Sequence, residues 1–412
     1  MNQCVGRGAK PSDPLHGPPQ KTGSGMLSYY LHDEERQLVE KAQEFGQEHF
    51  TEENVSRWYR EGGIPDSVAE AYRCSDLGYL GFKAEQGGPD VSHAAQIAVL
   101  AELTRSAGAI IPFQSQILDF QIVSRFANEQ QIALILDRYR ETSRPCFSTA
   151  ISDVESGSDL NEYKTAVFKE GDRLILRGEK VFVANGQHTP YIMVMAKDLT
   201  ESCDYTRALP SFWLIPASSE GVSALPINKI GQKMIPFAAL RFDDVEVQPE
   251  WRLGTPHQSM AQFQSVVDFG RCIVCGGSLG LAQAAFEDAV HHANARKIRN
   301  RRIGDFQQIG LMLTDMNSKL VNMEAHIYHA CHSIERETDA KLAVALMKKY
   351  VPETAGEVAA AAMQVFGGAG YTDSSRVGRI WIDSRGGQYA VGTDQIMVNI
   401  ASRAILDKYA QQ

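Results

Sequence analysis

The sequence has little that would mark a secreted, disulfide-stapled or membrane-spanning protein. Seven cysteines occur among 412 residues, an odd number without a framework spacing, which is typical of thiols kept reduced in a cytosol. No uninterrupted apolar run approaches the ~18 residues that a membrane helix needs. We therefore expect a cytoplasmic protein without a membrane partner.

Positive charge is also scarce. The chain has 41 Lys and Arg against 50 Asp and Glu, a net charge of −9, which argues against nucleic acid as a partner. Hydrophobic residues make up 43% and charged residues 22%, a balance that excludes a wholly disordered chain. Any phosphate group must therefore be bound by a local cluster of cations.

Several familiar catalytic signatures are missing. The sequence contains neither a Walker motif nor a Rossmann fingerprint, and no Ser-His-Asp order is recognisable, so nicotinamide chemistry in a Rossmann domain is disfavoured. Cys272 and Cys275 form a Cys-x-x-Cys pair inside a helical pattern, which favours buried small side chains over a redox or metal pair. His291 and His292 lack metal-ligand spacing, and we expect no metal site.

The periodicity of the apolar residues divides the chain into parts. Residues 1–25 are rich in Gly, Pro, Lys and Gln and are interpreted as a disordered tail or an added linker. Residues 26–143 have helical spacing, residues 144–250 contain short strand-like runs between turns, and residues 251–412 return to long helices. The pattern predicts a mainly α protein with a central β domain.

Individual elements can be predicted from the same pattern. The strand-like runs are 145–151, 166–168, 174–176, 181–184, 191–196, 212–215 and 240–247. The long C-terminal helices are 259–296, 306–335, 339–366 and 394–409.

Two local features indicate phosphate or flavin binding. A dense basic cluster lies between two predicted helices and consists of Arg296, Lys297, Arg299, Arg301 and Arg302. It is either a solvated helix end or a diphosphate site. Gly367, Gly368 and Gly370 end a helix, and this turn is either a simple cap or a place where backbone approaches a ligand closely.

The order of these features resembles the acyl-CoA dehydrogenase family over nearly all of the chain. The segments that carry the resemblance are 77–78 with 85–88, 150–159, 164–165, 178–186, 364–371 and 392–396. The last two are close to the family's Gln-x-x-Gly-Gly-x-Gly-Tyr and Gly-Thr-x-x-Ile signatures. The resemblance implies an N-terminal helical domain, a middle β-barrel or β-sandwich, and a C-terminal four-helix bundle.

The resemblance also implies an oxidoreductase, a flavoprotein with FAD bound between subunits of a homotetramer or homodimer. The residues that it implies at the cofactor are Ser152, Ser158, Phe182, Ala184, Arg296, Gln307, Gln364, Gly367, Gly368, Thr393 and Gln395. The residues that it implies at the substrate are Ser158, Arg271, Val391 and Gly392. The implied partners are an acyl-CoA or acyl-carrier-protein thioester and, for a dehydrogenation, an electron-transfer flavoprotein.

The sequence departs from the family at the proton acceptor. Members remove an α-proton with a glutamate, either just before the Gly-Thr pair or on a helix before an arginine, and these positions are Val391 and Gly270 here. Loss of a general base lowers the reaction rate by a factor of ~10² to 10⁴. The remaining candidates are Asp268, Lys83, Asp394, Tyr371 and Tyr389. Ala184 also replaces a hydroxyl residue that is common beside the flavin.

These departures leave several functions open. The first is an FAD-dependent oxidoreductase that acts at the α,β carbons of a short or polar acyl thioester. A second is a non-redox β-elimination of the desulfinase type, in which Lys83 would face the leaving group. A flavin monooxygenase on the same fold and a non-catalytic flavoprotein partner are the remaining alternatives.

Overall fold

The structure is a computed structural model that describes residues 30–159, 162–201, 204, 208–255 and 259–410. The tail predicted at residues 1–25 lies outside the described residues. The helices are α1 (Asp33–His49), α2 (Glu52–Glu61), α3 (Asp66–Cys74), α4 (His93–Ala107), α5 (Phe113–Phe126), α6 (Glu129–Thr142), α7 (Ser259–Ala295), α8 (Gln307–Glu335), α9 (Ala340–Phe366), α10 (Arg376–Gly386) and α11 (Asp394–Ala410). The strands are β1 (Phe147–Ala150), β2 (Ala166–Glu170), β3 (Arg173–Ala184), β4 (Tyr191–Leu199), β5 (Pro210–Pro216), β6 (Val222–Ile227), β7 (Phe237–Val247), β8 (Lys297–Ile298) and β9 (Arg301–Arg302).

This element order confirms the predicted fold class, with six helices before the sheet and five after it. Two of the predicted strand runs, 174–176 and 181–184, were wrong as separate strands, because they form the single strand β3. Gly178 has φ +143 in the middle of β3, and the register with β7 shifts beside it. In the sequence, the β-bulge at Gly178 was therefore misinterpreted as a turn between two strands.

The large sheet contains both parallel and antiparallel pairs. Its strand order is β1-β4-β2-β3-β7-β6, and β5 pairs with β4 off this path. β4 runs parallel to β1 and β2, and the other neighbouring strands are antiparallel. β6 was not predicted because it is an edge strand that contains Pro226 and its side chains are exposed or partly exposed, so no buried face marks it.

Short polar side chains and glycines set the ends of the N-terminal helices. The side-chain oxygens of Thr51, Ser92 and Asn128 each accept a hydrogen bond from the backbone N–H three residues later, which caps α2, α4 and α6. Gly62 and Gly108 end α2 and α4 in the left-handed conformation. These signals are local, so the N-terminal helices could be predicted from the sequence.

Helix α7 is the central helix of the C-terminal half. Ala261–Ala295 is long and apolar enough to cross a membrane by composition, but 89% of its most apolar window is buried inside the protein. It is therefore a core helix of the fold. A Cβ at Gly280 would lie 2.3 Å from the carbonyl oxygen of Ala101 on α4, so glycine permits this close approach. Cys272 and Cys275 are fully buried, as predicted.

The carboxylate of Asp383 on α10 joins three parts of the chain. It accepts hydrogen bonds from the Tyr59 hydroxyl on α2 (2.6 Å), from the Ile110 N–H after α4 (3.0 Å) and from the Gln232 N–H after β6. Asp383 is fully buried, and burial raises its pKa above the ordinary value although these donors oppose the rise. The position of α10 therefore depends on the helices and the sheet together.

We expect Asp383→Ala to lower the free energy of unfolding by ~3 kcal/mol or more, because it removes the acceptor of three hydrogen bonds at a fully buried position. The measurement is thermal unfolding followed by circular dichroism. The control is Asp137→Ala, which removes only an exposed pair with Arg140 and is expected to have little effect. An Asp383 variant that unfolds at the same temperature as this control would contradict the role of Asp383.

Candidate functional site

Helix α5 is buried except along one stripe. Gln114, Ser115, Leu118 and Gln121 are partly exposed, and Arg125 is exposed near the end of the helix. Spacings of three and four residues place these side chains on one helix face. These five residues are called the α5 stripe below.

Helix α7 packs against the α5 stripe and runs antiparallel to α5. A Cβ at Gly270 would lie 3.4 Å from Leu118 Cδ2, and a Cβ at Gly277 would lie 2.5 Å from Gln114 Oε1. Residue numbers along α5 therefore decrease in the direction in which residue numbers along α7 increase. The contact region between the α5 stripe and residues 264–277 of α7 is called the cleft below. Gln114 and Gly277 meet at its inner end.

The other end of the cleft opens at the surface. There Arg125 Nη1 donates to Ser265 Oγ over 2.8 Å. The loop that contains Lys83 lies beside this mouth, because Ser124 Oγ on α5 donates to Gln86 Oε1. Lys83 is exposed and therefore stands at the mouth, not in the interior of the cleft.

The loop between α10 and α11 forms part of the cleft wall. Val391 Cγ1 lies 3.3 Å from the Cβ position of Gly270. Arg271 Nε donates to the Val391 carbonyl over 3.3 Å, and Lys348 Nζ donates to the Gly392 carbonyl over 3.2 Å. Burial lowers the pKa of both cations. The structure thus brings together the predicted substrate residues Arg271, Val391 and Gly392.

The backbone of this loop is strained at Val391. Its φ is +53, a region that a β-branched residue rarely adopts and that costs ~1 to 3 kcal/mol. Among the described residues, the N–H of Val391 donates to no acceptor. Backbone strain of this kind clusters at functional sites, which makes Val391 a candidate ligand-binding residue.

Both family positions for a proton acceptor lack a carboxylate, and they pack against each other. The Cβ position of Gly270 is 3.3 and 3.5 Å from the two methyl carbons of Val391 and 3.4 Å from Leu118 Cδ2. There is space for a methyl group at most. A glutamate at residue 270 would have to displace Val391 or Leu118.

Asp268, the acceptor candidate from the sequence, lies on α7 and already has two donors. Gln264 Nε2 donates to it over 2.6 Å and Arg271 Nη1 over 3.3 Å. Burial is the largest influence and raises the pKa of Asp268, although both donors oppose the rise. Because they stabilise the ionised carboxylate, these donors weaken Asp268 as a base.

A second buried carboxyl, Asp119, was missed in the sequence. It follows Leu118 of the α5 stripe, and Thr149 Oγ1 on β1 donates to its Oδ1 over 3.2 Å. Burial raises the pKa of Asp119 well above its ordinary value. In the sequence, Asp119 is the one acidic residue in the apolar stretch 117–123. The family resemblance does not single it out, because the family's proton acceptors lie at other positions.

A buried ion pair ties together two segments that the resemblance assigns to flavin. Lys180 Nζ lies 2.7 Å from Asp153 Oδ1, and the Val181 N–H donates to the Ser152 carbonyl over 2.9 Å. Burial lowers the pKa of Lys180 to about 8. Burial opposes ionisation of Asp153 too, but Lys180 and two backbone N–H groups outweigh it and lower the pKa of Asp153. Ser152 is thereby held beside Phe182.

Phe182 has the features of a platform for a planar ring. Its φ is +59, and its side chain is 62% exposed although it is a large aromatic. Ala184 is partly buried two residues further along β3, and Ser158 is exposed in the loop after β1. An exposed ring on a strained backbone fits the isoalloxazine that the resemblance implies.

A groove at the end of α9 fits the diphosphate and base of such a cofactor. It has a volume of about 470 Å³ and is lined by Gln364, Gly367, Gly368, Tyr371 and Trp381 among others. A Cβ at either glycine would meet no atom within 4 Å. Open backbone and exposed aromatic rings suit a diphosphate and a base.

The basic cluster adjoins this groove. Strands β8 and β9 form an exposed hairpin over 297–302, which directly follows Arg296 at the end of α7. His292, one turn before Arg296, stacks on Phe366 with 4.2 Å between the ring centroids, and Phe366 precedes Gly367. Gln307 is exposed at the start of α8. The predicted cofactor residues Arg296, Gln307, Gln364, Gly367 and Gly368 therefore lie on one surface.

The remaining sequence candidates lie around the start of α11. Thr393 and Gln395 stand at its first turn, partly and fully exposed. Asp394 accepts from Gln388 Nε2 over 2.6 Å. Tyr371 is exposed in the groove, and Tyr389 is exposed before the Val391 loop. None of these contacts Gly270 in a described hydrogen bond or packing contact.

Three family models match the chain in order. They are the N-terminal domain of acyl-CoA dehydrogenase at residues 32–141, the middle domain at 148–245 and the C-terminal domain at 260–406. A curated relative from Escherichia coli K12, described as probable acyl-CoA dehydrogenase YdiO, is 29% identical over 384 residues, which cover 93% of this chain and 99% of that protein.

Solved structures of the same kind superpose closely. An acyl-CoA dehydrogenase from Slackia heliotrinireducens is 40% identical with a TM-score of 0.83, and the match covers 93% of this chain and 99% of that one. A glutaryl-CoA dehydrogenase from Mycobacterium smegmatis, solved in complex with FADH2, is 18% identical with a TM-score of 0.81 over 92% and 96% of the two chains. The second likeness shows the fold.

We expect Lys180→Met to raise the Kd for FAD tenfold or more, because it leaves Asp153 buried without its cation and loosens the Ser152 and Phe182 segments. The measurement is fluorescence titration of the flavin-free protein with FAD. Arg173→Met on the same strand, which removes only an exposed pair with Glu246, is the matched control. Equal FAD affinity of the two variants would refute this positioning role.

Proposed function

This chain belongs to the acyl-CoA dehydrogenase family, and we propose that it oxidises or reduces the α,β carbons of a short or polar acyl thioester. It is an FAD-dependent flavoenzyme that acts on CH–CH bonds. The observation that carries the proposal is the Val391 loop, which has a strained backbone and packs against Gly270 of α7. Contact between Gln114 and Gly277 further along the same two helices leaves little room for a long acyl chain.

The residues of the loop would bind the thioester. In this proposal the free N–H of Val391 donates to the thioester carbonyl and polarises the Cα–H bond, and Arg271 and Lys348 hold the loop in place through its carbonyls. FAD, when bound, accepts the β-hydride or returns it. Ser152, Ser158, Phe182 and Ala184 would surround its ring, with Ser158 also at the substrate.

Two copies of the chain would share each cofactor. The Phe182 platform lies on the sheet and the groove lies at the end of α9, and among the described residues no hydrogen bond or ion pair joins the two. A neighbouring copy would therefore supply the diphosphate and adenosine residues, in a homodimer or homotetramer. These residues are Arg296, Gln307, Gln364, Gly367, Gly368, Thr393 and Gln395. We further propose a cytoplasmic location, a CoA or carrier-protein thioester, and an electron-transfer flavoprotein as electron acceptor when the enzyme dehydrogenates.

Asp119 is the proposed proton acceptor. It has one hydrogen-bond donor, whereas Asp268 has two, one of them a cation. A buried carboxyl with a raised pKa binds a proton at neutral pH far better than an ordinary aspartate, as a general base requires. Asp119 also lies one residue from Leu118, whose Cδ2 is 3.4 Å from the Cβ position of Gly270.

Non-redox β-elimination is the second candidate, and the missing carboxylates at Gly270 and Val391 favour it. Its proposed leaving-group residue, Lys83, stands at the mouth of the cleft, beside the end of α5. This position suits the CoA end of a substrate better than its α,β carbons. The elimination therefore has less support than the redox reaction.

Anaerobic mixing with straight-chain acyl-CoAs tests the proposed function. We expect short chains to bleach the flavin absorbance, and chains that exceed the cleft to leave it unchanged, because Gln114 and Gly277 block the inner end. Product without bleaching would indicate β-elimination, and a hydroxylated product with rapid reoxidation by oxygen would indicate a monooxygenase. Tight binding with neither result would indicate a non-catalytic partner.

Exchange of substrate α-protons with D2O, followed by NMR, identifies the proton acceptor. We expect Asp119→Asn to slow the exchange by ~10² to 10⁴ and Asp268→Asn to have a small effect. Since only the ionised carboxylate accepts a proton, the wild-type rate should rise with pH through a pKa that burial has raised. Unchanged exchange in Asp119→Asn would exclude Asp119.

A rescue experiment separates a lost base from a damaged fold. Adding Val391→Glu to Asp119→Asn places a carboxylate at a family position, and we expect part of the exchange to return. Val391→Gln in the same background has the same shape without the charge and should restore nothing. Flavin content of each variant shows that the site is intact.

A further inference from the structure

A cavity of about 1030 Å³ lies where the N-terminal helices meet the sheet, and it is called the junction pocket below. Its lining comes from segments 59–64, 144–145, 185–189 and 226–237, together with Pro112 just before α5. None of the lining residues is among the candidate residues for FAD or for the thioester. The junction pocket is therefore a second place with room for a ligand.

The lining of the junction pocket carries an excess of positive charge. Its cations are Arg60, Arg144, Lys229 and Lys233, and its one acid among the described residues is Glu61. Arg144 pairs with Asp66 over 2.6 Å, whereas the other three cations form no ion pair with a described residue. In a chain with a net charge of −9, such an excess in one concave place suits an anion.

Lys229 has hydrogen bonds but no counter-charge in contact. Its Nζ donates to the carbonyls of Gln232 and Ile235 over 2.7 and 2.6 Å. The same atom lies 3.9 Å from the centroid of the Phe237 ring. Burial lowers the pKa of Lys229 to about 8, although the charge of Asp383 opposes this shift. A bound anion would compensate the positive charge that the carbonyls and the ring leave uncompensated.

Asn185 provides a buried polar group without a partner. The residue is 8% exposed and lines the pocket, and its carboxamide forms no hydrogen bond with a described residue. The neighbouring polar side chains are paired. Gln187 Nε2 donates to the Ala224 carbonyl over 3.3 Å, and Thr189 Oγ1 donates to the Tyr191 carbonyl over 2.9 Å. A buried donor without an acceptor costs free energy, and an oxygen of a bound ligand would accept from Asn185 Nδ2.

Size and charge together indicate the class of ligand. Phosphate oxygens are good acceptors for guanidinium and ammonium donors. The excess of three positive charges in the lining matches the roughly two to three negative charges of a diphosphate better than the single charge of a carboxylate. A volume of about 1030 Å³ also leaves space for a larger group attached to the phosphates, such as a nucleoside.

The junction pocket adjoins the hydrogen bonds of Asp383. Tyr59, which donates to Asp383, lines the pocket. Lys233 follows Gln232, whose N–H is another donor to Asp383. A ligand that bridges Arg60 and Lys233 would join α2 to the connection between β6 and β7. Binding should therefore raise the unfolding temperature of the protein.

We propose that the junction pocket binds a diphosphate group, either as free pyrophosphate or as part of a nucleoside diphosphate. Arg60, Lys229 and Lys233 compensate its charge, and Asn185 Nδ2 donates to one of its oxygens. The site lies outside the residues proposed for FAD and the thioester, so it does not depend on the reaction that the enzyme catalyses.

Calorimetric titration of the FAD-saturated holoenzyme tests the proposal. Saturation with FAD keeps the groove at the end of α9 occupied, and about 0.15 M salt screens nonspecific attraction between exposed charges. The ligands are pyrophosphate, ADP and inorganic phosphate. We expect one saturable site per chain for pyrophosphate or ADP, with a Kd about tenfold or more below that of inorganic phosphate, because a second phosphate adds charge-assisted hydrogen bonds. The tighter of the two ligands shows whether the site prefers a free diphosphate or a nucleotide.

Two substitutions in the pocket and one outside it locate the binding. We expect Lys233→Gln to raise the Kd about tenfold, and Asn185→Asp, which keeps the shape of the side chain but adds a negative charge, to raise it by more. Asp also tolerates the left-handed backbone of Asn185, whose φ is +58. Lys169→Gln, at an exposed position of β2, is the matched control and should keep the wild-type Kd. Flavin content and the unfolding midpoint without ligand show whether each variant is folded.

A wild type that shows no saturable binding of pyrophosphate or ADP would overturn the proposal. Equal Kd values for the wild type and both pocket variants would overturn it too, since the ligand would then bind elsewhere. Displacement of the ligand by saturating acyl-CoA would place it in the thioester site and would also count against the junction pocket. Reduction of the flavin by acyl-CoA is measured separately, and its failure would concern only the proposed function.

Discussion

The buried carboxylate of Asp383 is the contact on which the arrangement of the three parts depends. Its donors, Tyr59, Ile110 and Gln232, come from a helix, a helix–helix connection and a loop of the sheet region. Helix α10 therefore cannot shift without breaking hydrogen bonds to both earlier parts of the chain. Because α10 leads directly into Val391, contacts far from the cleft set the position of the strained loop in its wall.

The close approach of α7 to its neighbours explains why the usual proton acceptor is absent from this helix. Glycines at 270, 277 and 280 let α7 pack tightly against α5 and α4, and such packing leaves no volume for a glutamate at residue 270. Asp119 is not subject to this restriction, because its side chain points from α5 to β1 and meets Thr149. In our proposal, the proton acceptor therefore lies on α5 and not on α7.

Much of the architecture could be predicted from the sequence, because long apolar periodicities and polar caps act locally. The missed elements include β6, an edge strand with Pro226, the two-residue strands β8 and β9, and α10, a short helix with Gly378 that Asp383 and its distant donors tie to the rest of the fold. Ser152 and Phe182 were predicted from motifs as neighbours of a cofactor. Asp119 and Asn185 were missed because what distinguishes them, burial without full pairing, exists only after folding.

The two cations beneath the Val391 loop have an electronic consequence. A hydrogen bond to a peptide oxygen draws electron density from the nitrogen of the same peptide group, so that its N–H becomes a better donor. Arg271 acts in this way on the peptide between Val391 and Gly392, and Lys348 on the peptide between Gly392 and Thr393. The N–H groups of Gly392 and Thr393 therefore become stronger hydrogen-bond donors to a negatively charged acceptor. Arg271 and Lys348 produce this effect without contacting the acceptor.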